Sequence, residues 1–316
     1  MKILITGVHG FVGSNLVSYL EKDNEIYGLD IIAPEKKGVV KSFSWDDLDA
    51  DRVPEVDGIV HLAGKAHDTK NQAVADVYFK VNRDLTIRVF DYFSRHPKIS
   101  KFVFFSTAKA AADKVNGILT EDVVPSPVGP YGESKIAAEN YILSMMRDIP
   151  SVFEKKGVYI FRPCMIHGPG NKGNLNLLYN IVKRGIPWPL GAFENQRTFT
   201  SVENICYAVN GVLIKNVQSG IYNMGDDEAL STNELIQEIC KSLGKKAHIW
   251  RLPKSLINGM AIVGDWLHLP LDSERLRKLT ENYVSSNAKI KKALGVDKMP
   301  IEAHEGLRVT LDSFRG

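Results

Sequence analysis

Tyr131 and Lys135 stand four residues apart in Tyr131-Gly132-Glu133-Ser134-Lys135, just after Gly129-Pro130 and at the start of a helical run over 131–147. On a helix, positions four apart share a face, so the ammonium and the phenol can approach one site. A neighbouring ammonium favours the phenolate and lowers the tyrosine pKa, which predicts proton exchange with a sugar or alcohol hydroxyl near neutral pH. The spacing alone does not distinguish this pair from two exposed helix residues. A second set of residues supplies the context. Gly7, Gly10 and Gly13, in Thr6-Gly7-Val8-His9-Gly10-Phe11-Val12-Gly13, sit where the strand-like run Ile3 to Thr6 turns into a helix over 11–21. The first permits a tight turn, the second lets backbone approach a pyrophosphate, the third allows close helix packing, and the helix N-terminus favours negative charge. Asp30 closes the next apolar run, Ile26-Tyr27-Gly28-Leu29, where a carboxylate would accept hydrogen bonds from ribose hydroxyls. The same carboxylate repels a ribose phosphate, so NAD is favoured over NADP, a preference that the nearby Lys36 and Lys37 moderate.

Positioning such groups takes a scaffold, and the chain alternates between two periods. Strand-like runs at Ile3–Thr6, Glu25–Leu29, Gly58–Ala63, Phe102–Ser106 and Val158–Arg162 are separated by helical runs at 11–21, 71–95 and 131–147. Alternation of this kind predicts an α/β fold, a parallel sheet covered by helices on both faces. After Arg162 the rhythm changes, and Gly and Pro concentrate in 168–191. The expected organisation is a dinucleotide-binding domain over 1–167, with a segment returning near 197–225 that includes the strand-like Gly220–Met224. A smaller, partly interleaved substrate lobe would then occupy 168–316. The apolar stretch Leu256–Leu271 contains Asp265, and its spacing predicts a packed amphipathic helix rather than a membrane attachment. Trp45 and Asp46-Asp47 would either flank the adenine or form an acidic surface loop.

Composition narrows the partners. Forty basic against 37 acidic side chains give a net charge of only +3, which offers little reason to expect a nucleic acid or an anionic membrane as ligand. No uncharged apolar run is long enough for membrane insertion as a spanning helix. Cys164, Cys206 and Cys240 are widely spaced without metal-type pairing, which suits packing thiols in a reducing compartment and predicts a cytoplasmic protein. No His/Asp/Glu spacing argues for a metal, including around His67 and His167. His61, at a strand end, is expected to pack or to bond backbone.

Together the motifs identify the chain as a relative of the extended short-chain dehydrogenase/reductases of the nucleotide-sugar epimerase/dehydratase group. They are TGxxGxxG at Thr6 to Gly13, HLAG at His61 to Gly64, Ser106-Thr107, the YxxxK pair, and FRPCMIHGPG at 161–170. The resemblance runs over nearly the whole length and implies a Rossmann-type doubly wound sheet. It places Thr107, with Ser106 one step short, where a hydroxyl bonds the reacting oxygen, so that Thr107, Tyr131 and Lys135 form the catalytic set. It also implies that Phe11 and Val12 lie along the pyrophosphate and that Leu62, Ala63 and Gly64 line the cofactor. Asn82 would support the active-site wall, Pro163 to Ile166 would pass the nicotinamide, and Lys135 would anchor the ribose. Arg197 would grip a nucleotide diphosphate with its rigid fork of donors, and Asn174 and Leu175 would contact the nucleotide or sugar.

Three outcomes share a first hydride step: epimerisation, reduction and 4,6-dehydration. The resemblance implies that a dehydratase carries Asp-Glu directly after the catalytic Thr, whereas Ala108 and Lys109 stand here, which disfavours dehydration. Lys109-Ala110-Ala111-Ala112 and Asn204 also depart from the family pattern, the first leaving the sugar open and the second bearing on support. The tail from Asn282 to Leu307 resembles bacterial surface-polysaccharide enzymes acting on UDP-sugars. The expectation is an NAD-dependent 4-epimerase of a UDP-sugar, with a 4-keto-sugar reductase as the alternative and a non-catalytic NAD-binding regulator as the contrasting class. The resemblance further implies a homodimer through the 71–95 and 131–147 helices.

Overall fold

A computed structural model describes residues 1–32, 34–66, 74–171, 173–267 and 272–315. Short runs of Ile, Leu, Val and Phe bounded by turn residues form strands buried on both faces, as a parallel sheet between helices requires. Along the chain these and the intervening helices are β1 (Lys2–Thr6), α1 (Phe11–Leu20), β2 (Glu25–Leu29), β3 (Lys41–Phe43), α2 (Trp45–Asp49) and β4 (Gly58–His61). Then come α3 (Ala75–Tyr78), a π-helical segment Phe79–Asp84, α4 (Leu85–Arg95), β5 (Lys101–Phe105), α5 (Ala108–Ala111), β6 (Ile118–Leu119) and α6 (Pro130–Asp148). After α7 (Pro150–Phe153), β7 (Gly157–Pro163) and β8 (Met165–His167) follow α8 (Asn174–Lys183), β9 (Arg197–Ser201), α9 (Val202–Ile214) and β10 (Gly220–Met224). The chain ends with β11 (Ala229–Leu230), α10 (Thr232–Ser242), α11 (Lys254–Leu267), α12 (Ser273–Thr280), β12 (Val284–Ser285), α13 (Ala288–Leu294) and α14 (Ala303–Ser313).

Seven strands form one parallel sheet in the order β10-β7-β5-β4-β1-β2-β3. This is a Rossmann-type arrangement, with the order reversing at β1 and β4. Side chains alternate between faces along each strand. Ile3 and Ile5, Val103 and Phe105, and Tyr159 and Phe161 enter one core with α1, α9 and α13, while Leu4, Phe102, Phe104, Val158 and Ile160 enter the other with α4 and α6. A third core gathers α8, α10, α11, α12 and α14 beside the small sheet β11-β9-β8. Gly220–Met224 pairs in parallel with β7 as the edge of the large sheet.

Several local expectations change. The 71–95 run is not one regular helix: its described part starts at Ala75 and widens to π geometry at Phe79–Asp84, a distortion that often marks a functional position. Its residues 71–73 lie outside the described residues, as does His67. Trp45 and Asp46-Asp47 begin a short helix rather than a surface loop. Ser44 and Asp47 make a reciprocal capping box that starts α2, and Trp45 packs against the second core under the Arg88 guanidinium, 5.6 Å away. The Leu256–Leu271 helix, described as far as Leu267, packs only through Ile257, Ala261 and Gly264, and its other large apolar residues are exposed. Cys164, Cys206 and Cys240 are free and buried. Among the described residues no helix is long and apolar enough to cross a membrane.

Candidate active site

At the C-terminal end of β1 the chain must turn sharply into α1. Gly7 does so at φ +70°, a conformation that side chains with a Cβ resist, and its N–H donates to the Leu29 carbonyl at 2.8 Å. A Cβ on Gly13 would collide with the Gly7 carbonyl oxygen and lie 2.9 Å from Val8 Cα, so only glycine lets α1 approach this closely. Gly10 is the N-cap of α1 and contributes no side-chain cap, so the first-turn amides around Phe11 and Val12 are left to an anion. Asp30, just past β2, accepts from the His9 amide at 3.1 Å and from the Ile31 amide at 2.8 Å, which brings its carboxylate to the same loop. Lys36 Nζ donates to Ser14 Oγ at 2.9 Å on the first turn of that helix. Glycine cradle, open helix end and carboxylate fit a dinucleotide carrying a free ribose.

The facing wall is Leu62-Ala63-Gly64, held by a buried chain of hydrogen bonds. The Ala63 N–H donates to Thr6 Oγ1 at 3.0 Å, Thr6 Oγ1 lies 2.7 Å from His61 Nδ1, His61 Nε2 lies 3.0 Å from Thr86 Oγ1, and Thr86 Oγ1 donates to the Asn82 carbonyl at 2.6 Å. Because Thr86 spends its only proton on Asn82, it accepts from Nε2–H. In neutral His61, Nδ1 then accepts from Thr6. Burial, aided by the Lys135 charge, drives its pKa down to about 3. It packs as expected, stacked on the Phe104 ring at 5.8 Å, and its ring nitrogens bond two hydroxyls rather than the backbone. Asn82, at the π-helical widening, accepts from the Lys65 amide at 2.8 Å and donates to the Lys65 carbonyl at 3.1 Å and to Ser134 Oγ at 3.0 Å. It ties the wall to α6.

Gly129-Pro130 start α6, with proline at its first turn where no N–H is needed. A Cβ on Gly132 would lie 2.7 Å from the Lys109 carbonyl, and this close approach brings Tyr131 to Thr107, the N-cap of α5. Their side chains are hydrogen-bonded. Lys135 Nζ donates to the Phe105 carbonyl at 2.7 Å and lies 5.0 Å above the Phe104 ring. A Cβ on Gly64 would stand 3.1 Å from that ammonium and 3.0 Å from Asn82 Oδ1, so the cofactor wall and the lysine meet. The predicted lowering of the Tyr131 pKa is corrected. Burial raises it, opposed by the Thr107 hydrogen bond and reinforced by Tyr78, whose ring is 6.3 Å away. Burial also lowers Lys135 to about 8, against the pull of Glu139. Desolvation penalises the charged form of each group and is the largest cause of both shifts.

Ser106 turns away from Tyr131 and bonds Glu139, whose carboxylate takes a two-point grip from Arg162 through Nε at 3.0 Å and Nη2 at 2.5 Å. Pro163 ends β7, buried beside Met224. Arg197 opens β9, and its Nη1 donates to the Lys278 carbonyl; burial lowers its pKa while Glu281 and Cys164 raise it. Asn174 is the first residue of α8, and the Leu175 side chain turns into the third core and is only 3% exposed, which leaves its backbone for a ligand.

A charged network went unnoticed at sequence level. Lys109 Nζ bonds the Asp113 carbonyl at 2.8 Å and its carboxylate at 3.1 Å, and lies 4.6 Å from the Tyr283 ring. Arg277 Nη1 reaches Asp113 at 3.5 Å and Glu281 at 2.7 Å. The i,i+4 spacing of Lys109 and Asp113 was the available signal; their link to α12 was not. Asn204 bonds Asp226 and both backbone groups of Ile301, a supporting role.

The family model for the NAD dependent epimerase/dehydratase family matches residues 3–225, well over half of the chain. The chain belongs to this family. Family membership makes it an NAD-dependent enzyme of the nucleotide-sugar epimerase, dehydratase and reductase group, with NAD as cofactor. The UDP-glucose 4-epimerase of Vibrio cholerae is 29% identical over 269 residues, covering 79% of this chain and 78% of the relative. The N-acetyl-alpha-D-glucosaminyl-diphospho-ditrans,octacis-undecaprenol 4-epimerase of Escherichia coli O157:H7 is 27% identical over 298 residues, 92% of this chain and 84% of that one. The crystal structure of UDP-N-acetylglucosamine 4-epimerase from Bacillus cereus superposes with a TM-score of 0.78 at 21% identity, all of each chain being covered, and shares the fold.

Proposed function

We propose that the protein interconverts nucleotide-linked sugars epimeric at carbon 4 through a transient 4-keto sugar, with a UDP-sugar as substrate. The observation that carries the reading is the convergence of the Tyr131–Thr107 hydrogen bond, Lys135 and Gly64 at the end of the wall that faces the glycine loop. NAD bound along Gly7, Gly10, Phe11, Val12 and Gly13, with Asp30 on the adenosine ribose, supplies the hydride acceptor and donor. Tyr131 takes the proton from the carbon-4 hydroxyl and returns it, Thr107 orients that oxygen, and Lys135 holds the nicotinamide ribose and offsets phenolate charge. Leu62, Ala63, Gly64 and Asn82 exclude water from one side, and Pro163 from the other. Arg197 receives the diphosphate, and Asn174 and Leu175 contact the nucleotide or sugar. Ala108 is buried and Lys109 is bound to Asp113, so no carboxylate directly follows Thr107 to drive elimination.

The raised Tyr131 pKa keeps the phenol protonated, which suits donation to a keto oxygen and favours a second reading, reduction of a UDP-4-keto-6-deoxy amino sugar. Purified protein given that keto sugar and NADH separates the two. Stoichiometric loss of the reduced-nicotinamide absorbance with a sugar alcohol as product establishes the reductase. No net loss, with interconversion of UDP-amino sugars at carbon 4, establishes the epimerase. Tyr131→Phe is expected to lower kcat by about 100- to 10,000-fold in either case, and full activity in that variant would refute the mechanism.

A further inference from the structure

Net charge and mean composition hide a strong local asymmetry in the C-terminal lobe. From Ile239 to Gly264 the chain carries Lys241, Lys245, Lys246, Arg251 and Lys254 and no acidic residue, and all five cations are exposed. This segment leads into α11. Ile257, Ala261 and Gly264 form its single buried stripe, while Leu256, Met260, Val263 and Leu267 recur at i, i+4, i+7 and i+11 on an exposed one, each half or more exposed. Ile262 and Trp266, 65% and 82% exposed, widen that stripe, so the polar flank narrows to Lys254, Asn258 and Asp265. Asp265 is the only acid on the helix, and it is engaged by the Ser273 amide at 2.9 Å and hydroxyl at 2.5 Å. Trp250, 54% exposed, lies within the basic stretch, four residues before the start of the helix. A soluble surface does not ordinarily present so broad an apolar face.

We propose that α11 docks this lobe onto an anionic lipid bilayer surface, its exposed apolar stripe entering the headgroup boundary and the preceding basic segment facing the lipid phosphates. A helix with a wide apolar face bearing Trp and Leu, beside clustered Lys and Arg, has the two attractions that interfacial binding combines. Charge argues against a second copy as the occupant. An isologous contact through the same face would bring two copies of this acid-free basic segment to one interface, where the segment offers its copy no carboxylate to pair with. The docking is independent of which sugar reaction Tyr131 serves.

The test is flotation of the full-length protein with phosphatidylcholine vesicles and with vesicles containing about a third phosphatidylglycerol. Parent protein is expected to float with the anionic vesicles, to lose this in high salt, and to show a blue shift of tryptophan emission. Trp266→Glu and the double variant Leu256→Gln/Val263→Gln are expected to bind at least about tenfold more weakly while keeping parental NAD affinity, which reports an intact fold. Failure of the parent to float, or unchanged binding by both variants, overturns the proposal. So does a concentration-dependent dimer in sedimentation velocity that Trp266→Glu abolishes, since the face then belongs to a second copy.

Discussion

Removing the charge of Glu139 should cost both stability and the alkaline end of the activity range. Glu139 and Arg162 are 0% and 1% exposed, joined at two points, with Ser106 on the same carboxylate. In Glu139→Gln the guanidinium stays buried without its counter-charge, a situation that costs about 3–5 kcal/mol. At roughly 1.5 °C per kcal/mol for a chain of 316 residues, the melting temperature should fall by about 5 to 8 °C in a thermal-shift assay. Glutamate also raises the Lys135 pKa against the burial that holds it at about 8. A lysine carries its charge below its pKa, so removing the carboxylate makes Lys135 discharge at lower pH. The alkaline limb of kcat/KM should move toward neutrality. The double replacement Glu139→Leu/Arg162→Met removes both charges and should recover much of the lost stability without restoring the limb, because a buried pair is dear to break but not to replace. A Glu139→Gln protein that melts within about 1 °C of the parent, with its alkaline limb unmoved, would refute the reasoning.

Gly13→Ala forces α1 off Val8 and the Gly7 carbonyl, an overpacking of about 1–3 kcal/mol that should weaken NAD binding about ten- to hundredfold by calorimetry. Gly64→Ala intrudes on Lys135 and Asn82 at 3.1 and 3.0 Å and should lower kcat about tenfold or more with little change in melting temperature. His61 has its pKa depressed from 6.5 to about 3, so the unfolded chain binds the extra proton between those values. Its contribution to stability is full above pH 6.5 and is lost as pH falls toward 3; the NMR shift of its ring protons should accordingly stay flat from pH 8 down to about 4.

Much of the scaffold was legible because its signals are local. Glu25–Leu29 and Gly220–Met224 form strands with the bounds read from the apolar runs, and Gly7 makes the tight turn and Gly13 the close helix packing that their spacing at a strand-to-helix turn implies. The short β3 and the capped α2 were missed, although Ser44 and Asp47 spell a capping box; three-residue strands and one-turn helices carry too little periodicity. The π-helical widening at Phe79–Asp84 has no such signature; at it the Thr86 hydroxyl donates to the Asn82 carbonyl and Asn82 reaches Ser134, a partner far along the chain.

By itself the sequence determined the alternation of strands and helices, the glycine cradle with Asp30, and the presence of Tyr131 one helical turn from Lys135, because these depend on periodicity, on the absence of a Cβ and on spacing along one helix. Only the tertiary structure decided which way the charges balance. Burial raises the Tyr131 pKa and lowers that of His61, and Arg277 comes to Asp113 from the far end of the chain. It also left the apolar face of α11 outside. Desolvation, hydrogen-bond partners across the fold and exposure are properties of the folded surroundings, and no window of sequence contains them.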